Sequence, residues 1–457
     1  MKIKPVFILM ILVLLGCEKQ NRDIVATVGD RAITFQEFKN SFALFPQYQP
    51  NSSQKEARLQ QIHFMAERIL MAKAAEREKM DQWPETKARL EYIKRKETLQ
   101  LLHKKEILDK IQLSDQEAWE EYRRSNIEVR LRHLFAETEE KAQQYYTRLQ
   151  NGEPFEKLAR EVFLDSTLAA NGGDLGFVKL GDLDPFLVDS VYAQRLHRFS
   201  KPLKSSYGYH IVEVTDIKQS VFLSKSYFEE RKENYFYSLK NRRALAKSEE
   251  YLKEVLKGKS VTIKTAVLNK LLEINRTEIS AKRNELPIPT PRVSDRELTN
   301  VARAAADIFN QPLVLFNGKS WTVGEFLIRL KTMPPLHRPV VNKNQALVKS
   351  IIEMVRDELL LERARKLGLE QSPEVKEAVQ KWREEVLADE FKRRIQLVEY
   401  KKNEPDKWAR RKELLEQLRQ EYVVKIDTTV LMKDLQPSQY DQKVPQVPVI
   451  IRDFYIW

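Results

Sequence analysis

One cysteine, Cys17, serves the whole chain of 457 residues, so no disulfide framework can form inside the molecule. Glycine is almost as scarce, at 12 residues, while 32% of residues are charged. That combination is the profile of helices with solvated, charged faces. Six of the glycines fall between Gly152 and Gly208, which marks that stretch as a domain of another kind from its flanks. The apolar run from Val6 to Leu15 is shorter than the ~20 residues a membrane-spanning helix needs. No P-loop, no dinucleotide fingerprint in context and no GxSxG is present. Histidines His63, His103, His197 and His337 are scattered, with no acids at a ligand spacing, so neither a metal nor a cofactor is expected. The net charge of +13 is spread through helices mixed with Glu and Asp rather than gathered in one block. Nucleic acid is not an expected partner on that pattern; acidic clients or lipid head groups are.

What is there begins with an address. Met1-Lys-Ile-Lys4 and the short apolar run make a secretory signal. Its ending, Leu14-Leu15-Gly16-Cys17, resembles a bacterial lipobox. That resemblance implies cleavage before Cys17, lipidation of Cys17 and attachment to a membrane facing the periplasm. Glu18 stands where some lipoproteins carry the aspartate that retains them at the inner membrane, which favours the outer membrane.

Residues 127–218 carry a more specific signal. They hold His133-Leu134, Asp165, Gly172-Gly173-Asp174-Leu175-Gly176 and Gly208-Tyr209-His210-Ile211, in that order. Val129, Leu131 and Leu134-Phe135 read as a half-buried strand. Ala142, Tyr146 and Leu149 recur at helical spacing, as do Phe155, Leu158, Ala159 and Val162, with Gly152 and Pro154 punctuating between them. The run from His210 to Thr215 alternates like a closing strand. As a set these strings resemble the parvulin family of peptidyl-prolyl isomerases. The resemblance implies a small domain with a four-stranded antiparallel sheet and helices.

A repeat surrounds that domain. Ala26–Phe38 matches Leu313–Phe326: strand, tight turn, short strand, then a helix opened by Thr34 or Thr322 with Glu37 or Glu325 three residues on. Pro84 and Pro373 each open a long charged helix, and Val261–Leu268 matches Val424–Leu431 as a terminal strand. Hairpin and helices ahead of a parvulin segment resemble SurA-like periplasmic chaperones. The expected fold class is therefore α+β: a mostly helical SurA-like frame in two tandem copies, one carrying an inserted parvulin domain. The expected boundaries are 1–17 for the signal and lipobox, 18–126 for the N-terminal frame of copy one, and 127–218 for the parvulin domain. The rest of copy one follows at 219–285, a Pro-rich linker at 286–292, copy two at 293–432 and a Pro-containing tail at 433–457. Each terminal strand is expected to pair with the opening hairpin of its own copy.

The parvulin resemblance also implies a site. Rotation about an X–Pro bond meets a barrier of roughly 18–20 kcal/mol, and a catalyst must bind the twisted amide better than either planar form. His133, Asp165, His210 and Ser205 match the family's polar centre, with Ser205 bonding into a neutral imidazole pair. Leu175, Leu183, Phe186 and Tyr207 match its grip on the proline. Phe163-Leu164 replaces the usual aromatic–serine pair and Leu180 replaces a frequent basic residue. The loop Ala136-Glu-Thr-Glu-Glu140 lacks the basic cluster of phospho-specific members, so phosphoserine–proline is not the expected substrate. The implied function is a peptidyl-prolyl cis–trans isomerase and chaperone acting on unfolded, proline-containing exported or outer-membrane proteins. The alternative is a chaperone or envelope-assembly scaffold whose parvulin domain binds peptide with little or no turnover.

Overall fold

The computed structural model describes residues 23–219, 223–279, 293–402 and 407–443. The signal segment with Cys17, the linker 286–292 and the tail beyond residue 443 lie outside the described residues. Among the described residues, no helix is long and apolar enough to cross a membrane.

The chain opens with a hairpin, β1 (Ile24–Val28) and β2 (Arg31–Thr34), followed by α1 (Phe35–Leu44), α2 (Gln54–Arg77), α3 (Pro84–Glu106) and α4 (Asp115–Ser125). The hairpin turns at Gly29, whose φ of 59° is costly for residues with a Cβ. Pro84 sits at the first turn of α3, where its missing N–H costs no bond. Ser53 and Ser114 cap α2 and α4 with reciprocal bonds to Glu56 and Glu117.

The inserted domain comprises β3 (Ile127–Ala136), α5 (Glu139–Gln150), α6 (Phe155–Val162), α7 (Ser166–Ala170), β4 (Asp174–Val178), α8 (Val188–Tyr192), β5 (Leu203–Lys204) and β6 (Tyr209–Gln219). Its strands form one antiparallel sheet in the order β4-β3-β6-β5. One face packs on α5 and α6 through Leu134, Ala136, Ile211, Leu149 and Leu158. The other gathers Val129, Leu131, Val212 and Val214 with Leu187 and Val191.

The chain then returns through α9 (Lys225–Leu256), β7 (Val261–Ile263) and α10 (Thr265–Glu278). The second repeat comprises α11 (Asp295–Ala304), β8 (Pro312–Phe316), β9 (Lys319–Thr322), α12 (Val323–Thr332), α13 (Asn344–Lys366), α14 (Pro373–Lys402), α15 (Lys407–Glu421), β10 (Val424–Ile426) and α16 (Thr428–Leu431).

The terminal strands are exchanged between the repeats, which corrects the expected pairing. β10, at the end of copy two, pairs with β1 of copy one (Ala26 with Ile426, Val28 with Val424). β7, at the end of copy one, pairs with β8 of copy two (Val261 with Phe316, Ile263 with Val314). The helices ahead of each strand decide this. α14 packs along α2 and α3 and buries Leu387, Ala388 and Phe391 in the first lobe's core, so β10 is delivered to the first hairpin. α9 has 32 residues, roughly 48 Å at 1.5 Å per residue, and it delivers β7 to the second. Two lobes result. The first joins β1, β2, α1 and α2 to α14, α15 and β10. The second joins α10 to α11, β8, β9, α12 and α13. Leu102, Ile107, Tyr251, Leu360, Leu361 and Leu369 form the core at their junction.

Candidate active site

The inserted domain leaves the frame and returns to it on paired strands, because Ile127 opens β3 opposite Gln219 at the end of β6. Trp119, Tyr122, Phe228 and Tyr235 pack together at its base. There the Glu121 carboxylate, 1% exposed, accepts from both terminal nitrogens of Arg242 at 2.6 and 2.7 Å. This two-point bonding offsets part of the cost of burying the pair, although Arg242 Nε is buried without a partner. Arg124 reaches Asp189 on α8 at 2.6 Å, and Lys204 on β5 pairs with Glu249 on α9. The elements that flank the site are thus tied to the frame.

His133 and His210 lie on the two central strands. His210 is opposite Phe135, two residues beyond His133, so both imidazoles project from the same face. Their Nδ1 atoms are 3.2 Å apart, and the rings lie 13° from parallel with centroids 5.4 Å apart. Ser205 Oγ is 2.8 Å from His210 Nε2 and 3.1 Å from the Tyr207 N–H that it accepts. The Ser205 hydroxyl and backbone N–H both approach the Gly208 carbonyl, at 3.3 and 2.7 Å.

These contacts select a tautomer. With the Ser205 hydrogen given to Gly208 O, Oγ accepts from Tyr207 N–H and from His210 Nε2–H. His210 Nδ1 is then a bare acceptor for His133 Nδ1–H. The buried His133 Nε2, which has no partner, is left as a lone pair. The reverse arrangement would bury an unpaired N–H, the rarer kind of orphan. Burial, reinforced by the nearby His210, pushes the His133 imidazole down to about 4. Burial also lowers His210, with the Asp184 carboxylate working against it. Both rings are neutral near pH 7.

Two glycines make the geometry possible. A Cβ on Gly173, at φ 76°, would lie 2.2 Å from His133 O, and one on Gly208 would lie 2.7 Å from Ala136 O. Either would push β3 away from its neighbours.

Asp165 is not hydrogen-bonded into the polar centre. It is exposed, and its carboxylate caps α7 by accepting from Thr167 and Leu168 N–H at 2.9 and 3.0 Å; no hydrogen bond joins it to either imidazole. Leu183 packs against the apolar face beside Val212 and Leu187. Phe186 is half-buried, while Leu175 and Tyr207 are exposed, Tyr207 to 81%. Sequence reasoning missed three neighbours as site residues. The Phe163 ring is 5.0 Å from His133, Phe135 is 5.3 Å from His210, and Leu187 shares the cluster of Leu183. Alternation along β3 places Phe135 on the face of His133 and could have found it. Among the described residues, no group of His, Cys, Asp and Glu could hold a metal ion.

Residues 125–218 match the model of the PPIC-type PPIASE domain. The foldase protein PrsA of Geobacillus sp. is 31% identical over 38% of this chain and 62% of its own length. PrsA of Halalkalibacterium halodurans is 33% identical over 36% of this chain and 47% of its own length. The chain therefore spans about half to three fifths of these relatives. Among solved structures, the peptidylprolyl isomerase PrsA of Bacillus anthracis is 25% identical over 29% of this chain and 57% of that one, with a TM-score of 0.22. A chain described among SurA-like chaperones of Campylobacter jejuni is 20% identical over 53% of this chain and all of that one, also with a TM-score of 0.22. Residues 125–218 are thus a parvulin domain of the PPIC type, in a chain that is similar to the PrsA foldases over 36–38% of its length.

Proposed function

We propose that the protein is an extracytoplasmic foldase that isomerises X–Pro bonds in unfolded polypeptides and shelters those chains on its helical frame. One observation carries this reading: two neutral imidazoles, coupled at 3.2 Å and fixed by Ser205, sit at the end of an apolar sheet face that includes Leu183. Isomerisation needs no covalent step. The twisted amide loses its conjugation, so its nitrogen and carbonyl become a better acceptor and a less polarised group than in the planar forms. A dry apolar seat with fixed, uncharged donors and acceptors favours that state. His133, His210 and Ser205 supply the fixed groups; Leu175, Leu183, Phe186 and Tyr207 seat the proline and its neighbours. The relatives' name, foldase, supports a polypeptide client. Lipidation at Cys17, tethering to a membrane facing the periplasm and an outer-membrane location belong to the same proposal and rest on the lipobox string.

The placement of Asp165 favours a second reading. Its Oδ1 caps α7 and no hydrogen bond joins it to the imidazoles, so the domain could hold proline segments without turnover. A proline-isomerisation assay on the full chain decides between the two. Catalysis above the uncatalysed rate that falls at least tenfold in His210→Ala supports the isomerase. Catalysis that survives intact in both His210→Ala and Asp165→Ala refutes the site. Binding of the same peptide without catalysis leaves the holding module.

A further inference from the structure

The strand β4 and the helix α8 are joined by a loop that contains Leu183, Asp184, Pro185 and Phe186. The strands β5 and β6 are joined by the turn Ser205-Ser206-Tyr207-Gly208. One carboxylate connects the two segments. Asp184 Oδ1 accepts from Phe186 N–H at 2.9 Å, and Asp184 Oδ2 accepts from Ser206 N–H at 3.0 Å. The first contact alone is an ordinary local turn of an Asp side chain. The second reaches 22 residues along the chain, into the turn that carries Ser205. Ser206 is followed by Tyr207, whose N–H is accepted by the same Ser205 Oγ that meets His210. Pro185 has no N–H to compete for the carboxylate.

We propose that Asp184 is a positioning residue for the isomerisation: its carboxylate bolts the loop that supplies Leu183 and Phe186 to the turn that supplies Ser205, and so fixes His210 through Ser205. The role is separate from that of Asp165, whose oxygen is committed to α7. A carboxylate suits the task because each oxygen can accept a backbone N–H and neither donates. Asparagine keeps one acceptor and turns the other into a donor facing an N–H. The negative charge also acts on His210, opposing the effect of burial.

The inference rests on the isomerase reading, and the test separates the two. The full chain is compared with Asp184→Asn and Asp184→Ala, using a proline-containing peptide for kcat and KM. Ring-nitrogen NMR at neutral pH reports the tautomers of His210. The expected result is a loss in kcat/KM of about tenfold to a hundredfold in Asp184→Ala, the scale on which misplacement of an active group is felt. A smaller loss is expected in Asp184→Asn. In both, the pattern of His210 changes from a single Nε2–H tautomer to a mixture, because Ser205 is released. A residue that only stiffens the loop would lower thermal stability and leave the tautomer pattern alone. Unchanged kcat/KM together with an unchanged His210 pattern in Asp184→Ala overturns the proposal. If that variant does not fold, the nearly isosteric Asp184→Asn gives the same two readouts. A wild-type chain without turnover removes the isomerase reading, and the ring-nitrogen pattern then still decides whether Asp184 sets His210.

Discussion

The two lobes share a repeat yet are closed in different ways. In the second lobe, β7 meets β8 across about fifty residues of chain. In the first, β1 meets β10 across about four hundred. Loop-closure entropy grows as (3/2)RT ln n, so the longer closure costs roughly 2 kcal/mol more. The covering helices differ too. The second lobe is sealed by apolar residues such as Leu271, Val301, Phe316 and Phe326. α14 brings to the first lobe Leu387 and Phe391 flanked by ion pairs: Arg31–Glu384, Arg68–Glu385, Arg89–Asp389 and Arg383–Asp81. α14 is thus seated by paired charge as well as by burial, whereas α10 of the second lobe adds the pair Lys270–Asp307 to its apolar contacts.

The largest test of that contrast is Phe391→Ala, which opens a cavity where α14 enters the first lobe. The first lobe should lose about 3–5 kcal/mol. Hydrogen exchange should show β1 and β2 unprotected while β8 and β9 keep their protection; equal loss in both would mean that the lobes are one cooperative unit.

The inserted domain should part from both lobes in acid. An imidazole held below its ordinary value makes folding favour the neutral ring. That contribution is complete above about pH 6.5 and is lost as the pH falls toward 4. For His133 it amounts to about 2–3 kcal/mol. Tryptophan-independent probes placed on β6 should therefore show a falling urea midpoint between pH 6.5 and 4. The same slope in His133→Phe would show that the imidazole is not responsible.

A pair of matched positions gives a smaller effect. Arg31 binds both Glu37 and the exchanged Glu384, whereas Lys319, its counterpart, meets only Glu362 among these pairs and is half exposed. Arg31→Ala should cost about 1–2 kcal/mol and Lys319→Ala less than about 1 kcal/mol, read as changes in denaturant midpoint. Adding salt should narrow the gap.

The smallest effect distinguishes the helix caps. Thr322 and Glu325 complete a reciprocal capping box, while Glu37 is turned to Arg31 and Thr34 caps alone. Thr322→Ala should cost about 1 kcal/mol, and Thr34→Ala somewhat less, by thermal melts of the two variants.

Much of this was legible in the residues. The sheet's strands were readable from local alternation, whereas the paired imidazoles and Ser205 came only from the resemblance to parvulins, since His133 and His210 lie 77 residues apart. Both hairpins and both Pro-led helices were readable from short-range spacing. The strand exchange was not. Val261-Thr-Ile-Lys and Val424-Lys-Ile-Asp carry the same alternation, so either fits either hairpin, and only the course of α9 and α14 distinguishes them. Asp184 was overlooked because its second partner, Ser206, lies in another loop. Asp165 was expected beside the imidazoles, but the string shows only that an acid stands near. Its position before Ser166-Thr167-Leu168 also makes it a helix cap, and that is the bonding found.

The exchanged strands impose an order in time. A chain made from its N-terminus, at ~5–20 residues per second, takes roughly 20–80 s to produce the four hundred residues between β1 and β10. Until α14 has been made, Val25, Val28, Ile33 and Phe38 have no lid from it. For its first hairpin, the chain stays unfinished until nearly its last helices have been made.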